Sequence, residues 1–225
     1  MVVIHFNYTS NLFFENLIMP VNNLIKHQLV IKNLNFSNTI DSLSSSFSLS
    51  AQSGDIIGIS GTSGVGKSIF LKGLADLIPH QGFVQLNNQV QNDIAPHQWR
   101  KQLMLVPAES QWWHDTVQEH FVAINEQYLS KLNLNKEILA KPIHQLSTGE
   151  KQRLSILRAL ELQPKVLLLD EVSANLDLQN SMQLEQVIVD YVKEQQAIAI
   201  WVSHDSHQLE RVATKRLNMT LDGLG

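Results

Sequence analysis

Eight consecutive residues, Gly61-Thr62-Ser63-Gly64-Val65-Gly66-Lys67-Ser68, have the spacing G-x-x-x-x-G-K-[ST] of a phosphate cradle. Glycines let the backbone curl so that successive N–H groups point inward at an anion. A helix beginning at Lys67-Ser68-Ile69 would aim its positive end at the same anion. Lys67 adds a point charge for the β- and γ-phosphates, and Ser68 offers a hydroxyl to Mg²⁺. A second run, Val166-Leu167-Leu168-Leu169-Asp170-Glu171, delivers two carboxylates at the end of an apolar strand, where ligands bind in open α/β sheets. Asp170 is expected to hold Mg²⁺ and Glu171 to polarise an attacking water. Phosphoryl hydrolysis needs positioning and charge stabilisation more than covalent chemistry, so this set suffices. A third run, Leu146-Ser147-Thr148-Gly149-Glu150-Lys151-Gln152-Arg153, reads as a second helix N-terminus able to hold phosphate. One γ-phosphate does not need two such sites on one chain.

The elements that must position these residues are legible as patterns. Leu29–Asn33 alternates as a strand, and Phe47, Leu49 and Ala51 alternate with polar residues as another. Asp55–Ser60, Leu103–Val106, Val166–Leu169 and Ala197–Val202 are short apolar runs, expected as buried strands. Lys67–Leu77 carries a helical stripe that Pro79 ends, and Asp177–Glu194 reads as a long amphipathic helix. Buried strands alternating with helices argue an α/β core with a largely parallel sheet. The stretch from Thr116 to Leu162 lacks a strand run and is expected to be helical.

Bulk properties bound the function. The 225 residues carry a net charge of −4, a pI near 6.1 and 44% apolar residues. They fit one domain with a small insert. No basic stripe of the kind that grips nucleic acid occurs. Cysteine is absent, which removes disulfides and thiolate metal sites. No run of 18 apolar residues spans a bilayer, and the first residues lack the basic region of a secretory signal. Residues 1–28, aromatic and Asn-rich, are expected to be an N-terminal extension.

The order of the three runs resembles the ATP-binding-cassette (ABC) ATPases. Leu146–Arg153 resembles their L-S-G-G-Q signature, with Thr148 for the first Gly and Glu150 for Gln. Ala174-Asn175-Leu176-Asp177 resembles the S-A-L-D loop, and Ile198–Asp205 ends a strand at His204, the place of the switch histidine. The resemblance implies a P-loop NTPase core, an N-terminal antiparallel β subdomain and a short helical subdomain at about 109–162. It implies one cassette over 29–221, followed by a tail at 222–225. It implies that ATP and Mg²⁺ are cofactors and that Lys67, Glu171 and His204 are catalytic. Two copies would pack head to tail, so that Ser147, Gly149 and Glu150 close the partner copy's nucleotide site. A multi-span permease would be the partner at the cytoplasmic face of the membrane, with no role for nucleic acid. Pro164–Glu171, Tyr191–Gln195 and Trp201–Asp205 are most similar to the small ATPases of the bacterial Fet/Ybb-type iron-export pair. A soluble ATPase of the cluster-assembly type is the alternative.

The sequence departs from the family in two places. Ala108 stands where a Gln usually binds Mg²⁺ and water and reports to the permease, leaving Glu109 or Gln111 to substitute or the coupling weaker. The adenine-stacking aromatic is expected near Asn38, which has no ring, while Phe36 is expected to face the core. Trp112-Trp113 follow Ala108 and are expected to meet the permease, since exposed tryptophans are costly unless used, with a place in the local core as the alternative.

Overall fold

The computed structural model describes residues 26–36 and 45–225. The expected extension 1–28, save its last three residues, lies outside that range, as does Asn38.

Strand β1 (Gln28–Asn35) pairs antiparallel with β2 (Phe47–Gln52). The alternation predicted for β2 holds: Phe47, Leu49 and Ala51 are buried and their neighbours exposed. Strand β3 (Ile56–Gly61) leaves this sheet, runs into the phosphate loop and continues as helix α1 (Lys67–Leu74). The helix ends three residues earlier than the apolar stripe suggests. Leu77 then points to solvent, half exposed. Strands β4 (Gln81–Leu86) and β5 (Gln89–Val90) complete a four-stranded antiparallel sheet in the order β2-β1-β4-β5.

The second sheet carries the chemistry. Helix α2 (Pro96–Gln102) leads into β6 (Leu103–Val106), and helix α3 (Glu126–Lys131) lies in the long excursion that follows. Helix α4 (Thr148–Glu161) returns the chain to β7 (Val166–Asp170). Helix α5 (Leu178–Glu194), β8 (Ile198–Val202), helix α6 (Ser206–Val212) and the hairpin β9 (Lys215–Thr220) and β10 (Gly223–Leu224) complete it. The order is β10-β9-β3-β8-β7-β6, parallel from β9 to β6. Residues 222–225 therefore do not form a free tail: Leu224 pairs with Met219 on the sheet edge.

Both faces of this sheet are covered, which is why its strands read as unbroken apolar runs. Leu167, Leu169, Ala199 and Trp201 face α4 and α5. Val166, Leu168, Ile198 and Ile200 face α1 and the antiparallel sheet. The segment 116–162 is less helical than expected. Before α4 it holds the six-residue α3 and three short 3₁₀ turns at Gln118–His120, Lys136–Ala140 and Ile143–Gln145. Pro142 stands immediately before the last of these turns.

Candidate functional site

Strand register brings the motifs to one edge. Val202 of β8 is level with Asp170 of β7 and with Ile59 of β3. The loops after all three strands therefore emerge together at the carboxyl end of the sheet. The result is a cavity of about 210 Å³ lined by Ser63, Gly64, Gly66, Lys67, Ser68, Ile69, Asp170, Glu171 and His204.

The phosphate loop needs its glycines for two reasons. Gly66 caps α1 at φ 107° with no side-chain cap, so the first N–H groups of the helix stay free for a ligand. At Gly61 a Cβ would lie 2.5 Å from the Met219 carbonyl, so no other residue fits beside β9. Val65 anchors the loop in the core. Gly61, Thr62 and Val65 thus support the cavity without lining it. Lys67 is buried, and its Nζ donates to the Gly61 and Thr62 carbonyls at 2.8 and 3.0 Å. An ammonium has three donors, so one remains for an anion. Burial pushes Lys67 below the usual lysine value, against the pull of the Glu171 and Asp170 carboxylates.

The opposite wall is acidic. Asp170 is buried, and its Oδ1 has no hydrogen-bond partner. Such an atom is costly unless a ligand satisfies it. With the exposed Ser68 hydroxyl in the same cavity, it offers the oxygen donors that a small divalent cation takes beside phosphate. Glu171 follows at φ 48°, a left-handed conformation costing about 1 kcal/mol for a residue with a Cβ. Its N–H donates to Val202 O at 3.1 Å. Its Oε2 accepts the His204 N–H at 3.2 Å. Oε1 lies 3.4 Å from His204 Nε2, within ion-pair range but outside hydrogen-bond geometry, and is otherwise unpartnered. Burial raises the Glu171 carboxyl above the usual range, opposed by the His204 N–H and imidazole and by Lys67.

Ser147, Gly149 and Glu150 do not join this cavity; they sit at the start of α4. There Ser147 Oγ accepts the Glu150 N–H at 3.1 Å, and the Glu150 carboxylate accepts the Ser147 N–H at 2.8 Å. This reciprocal box gives Glu150 a structural task a Gln could share. Gly149 faces the 174–177 loop, where a Cβ would stand 3.1 Å from Leu176. Arg153 Nη1 reaches Asn180, whose amide reaches Asp177, the cap of α5.

Neither Glu109 nor Gln111 takes the missing Gln's place in the cavity lining. Gln111 Nε2 donates to the Glu109 carbonyl. Phe36 is buried as expected, edge-on to His80. Trp112 and Trp113 lie on no strand. They clasp the Arg158 guanidinium between them, each ring centroid 4.6 Å from it. Arg158 Nη2 donates to Gln111 O, and Nη1 has no partner. Trp113 is 65% exposed and borders an apolar groove of about 340 Å³ with Val106, Val122 and Leu162. Sequence reasoning missed His120 beneath it. Its Nε2 accepts both the Trp113 and His114 N–H groups, at 3.0 and 3.1 Å. That leaves the proton on Nδ1, which donates to Thr116 O at 2.9 Å.

A family model described as ABC transporter matches residues 44–174. The chain is 33% identical over 193 residues to the probable iron export ATP-binding protein FetA of Escherichia coli, covering 80% of each. It is 36% identical over 196 residues to the phosphate import ATP-binding protein PstB of Aeropyrum pernix, covering 76% of this chain and 78% of that one. The structure of cbiO1 from Clostridium perfringens superposes at a TM-score of 0.72 with 23% identity, over 88% of this chain and 86% of that one. An ATP-bound bacterial Atm1-family exporter superposes at 0.79 with 19% identity, over 90% of this chain and 39% of that one. At such identities the two structures speak to the fold alone.

Proposed function

The chain belongs to the ABC transporter family as an ATP-binding, ATP-hydrolysing subunit, and from that premise we propose how its residues divide the work and what it drives. The observation that carries the reading is the single cavity joining Lys67, Ser68, Asp170, Glu171 and His204. The loop N–H groups and the free donor of Lys67 bind the ATP phosphates. Asp170 and Ser68 would hold Mg²⁺, which would supply positive charge beside the phosphates. Glu171, its carboxyl raised above the usual range by burial, orients the attacking water and takes its proton. His204 steadies that carboxylate and faces the γ-phosphate.

Ser147, Gly149 and Glu150, standing away from the cavity, are assigned to a second copy's ATP in a head-to-tail homodimer. Trp113, Val122 and Leu162, all exposed, and the groove they border are assigned to a multi-span permease. The protein then sits peripherally on the cytoplasmic face of the membrane; no helix among the described residues is long and apolar enough to cross it. Iron export is the transport we assign, supported by the FetA relative. The import relative leaves the direction to be tested, and contact with the cargo belongs to the permease.

Glu171→Gln tests the catalytic assignment. Phosphate release is expected to fall about a thousandfold while ATP is still bound and holds two copies together. Unchanged turnover would remove Glu171 from the mechanism. Co-purification of a multi-span membrane protein with the full chain tests the transport assignment.

A further inference from the structure

Behind the Glu171–His204 pair lies a buried polar network that the mechanism does not use. Gln208 on α6 is 1% exposed and Glu185 on α5 is 5% exposed. The Gln208 amide lies against the Ser173 hydroxyl, its Nε2 donating to Oγ at 2.7 Å and its Oε1 accepting from Oγ at 3.0 Å. The same Nε2 donates to Glu185 Oε1 at 3.0 Å. Arg211, also on α6, grips Glu185 with two bonds of 2.8 and 3.0 Å. Ser173 belongs to the turn that Glu171 opens, where the Ala174 N–H returns to the Glu171 carbonyl. Asp205, next to His204, caps α6 by accepting the His207 and Gln208 N–H groups. One amide therefore ties the turn carrying the carboxylate to the helix that follows the histidine, and ties both to α5.

A buried carboxylate is stable only when its partners are supplied, here by Gln208 from within and by Arg211 from the solvent side. This one does not touch the cavity. What it fixes is the separation of two backbone segments that meet where the His204 N–H donates to the Glu171 carboxylate at 3.2 Å. Glu171 sits in a left-handed conformation that its surroundings must enforce, and the Ser173–Gln208 bond restrains the turn two residues on.

We propose that Gln208, held by Glu185 and Arg211, is a positioning residue for ATP hydrolysis: through Ser173 it sets the Glu171 carboxylate against His204. The proposal rests on the reading of Glu171 and His204 given above. A misplacement of a fraction of an ångström at such a pair lowers turnover without removing a nucleotide contact.

The test uses the full chain with Ser173→Ala, Ser173→Thr and Gln208→Leu. Turnover, KM for ATP, melting temperature and the NMR shift of the His204 amide, which donates to Glu171, are measured on each. For Ser173→Ala, kcat is expected to fall about tenfold with KM and melting temperature nearly unchanged and the His204 amide displaced. Ser173→Thr, which keeps the hydroxyl, is expected to restore both. Gln208→Leu, where it folds, is expected to lose at least as much as Ser173→Ala. Should Gln208→Leu fail to fold, the two Ser173 variants decide alone. A folded Ser173→Ala with parental kcat and an unmoved His204 amide overturns the proposal, as does a loss that Thr does not restore. If Glu171→Gln turns over like the parent, the catalytic reading fails instead, and the proposal with it.

Discussion

The phosphate cavity and the segment 107–122 differ in what they leave unpartnered. In the cavity, Asp170 Oδ1 and Glu171 Oε1 are buried without hydrogen bonds, Glu171 is held in a left-handed backbone, and Lys67 keeps a donor in reserve. Such costs are offset when a ligand satisfies the groups, so the site is built for a ligand. Around Trp112 and Trp113, His120 is fully satisfied by its own loop, and the unpartnered groups are a guanidinium nitrogen and apolar surface. That pattern suits a macromolecular partner.

The sharpest way to break this contrast is at the cavity. His204→Ala is expected to lower turnover about a hundredfold while ATP still binds, measured by phosphate release and nucleotide titration. A mild loss would shift the weight of catalysis from the histidine to Glu171 alone. Trp112→Ala acts on the other region. It is expected to weaken permease association about tenfold and to leave the isolated protein's ATPase rate within about twofold. Loss of ATPase with assembly intact would reverse the roles of the two regions.

A third test concerns pH. Burial holds the His120 imidazole below its ordinary value of 6.5, and only the neutral ring can accept from Trp113 and His114. The opened loop therefore binds the proton more tightly than the closed one. Closure is fully favoured above about 6.5 and weakens as pH falls from there toward the lowered value. Hydrogen exchange at the Trp113 and His114 amides, corrected for the intrinsic rate, is expected to speed up through that window. A flat profile would mean that His120 is not the staple. The smallest effect is expected from Ala108→Gln, a few-fold change in ATPase rate or its Mg²⁺ dependence. No change in either would remove this position from the comparison.

How much of this could be read in advance depended on distance along the chain. The phosphate loop is a local object: eight successive residues carry its glycines, its lysine and its hydroxyl. Asp170 and Glu171 follow their strand directly, and His204 lies just past the end of its own. Ser147 and Gly149 were legible as a helix start, but not the reciprocal bond that Glu150 makes there. The segment 116–162, read as helix because it lacks a strand run, holds α3 and α4 but also three short 3₁₀ turns and loops between them.

The residues sequence reasoning missed are those whose partners lie far along the chain. Gln208 meets Ser173 across 35 positions and Glu185 across 23. Arg158 offers no local sign that two tryptophans of another segment will clasp it, and His120 shows which nitrogen keeps its proton only once its loop has closed. Sequence by itself determined which chemistry the chain can perform, because that chemistry is carried by short runs at strand ends. The tertiary structure decided which of those runs share one cavity and which stand apart from it. Those are consequences of strand register and of long-range packing, which no local run encodes.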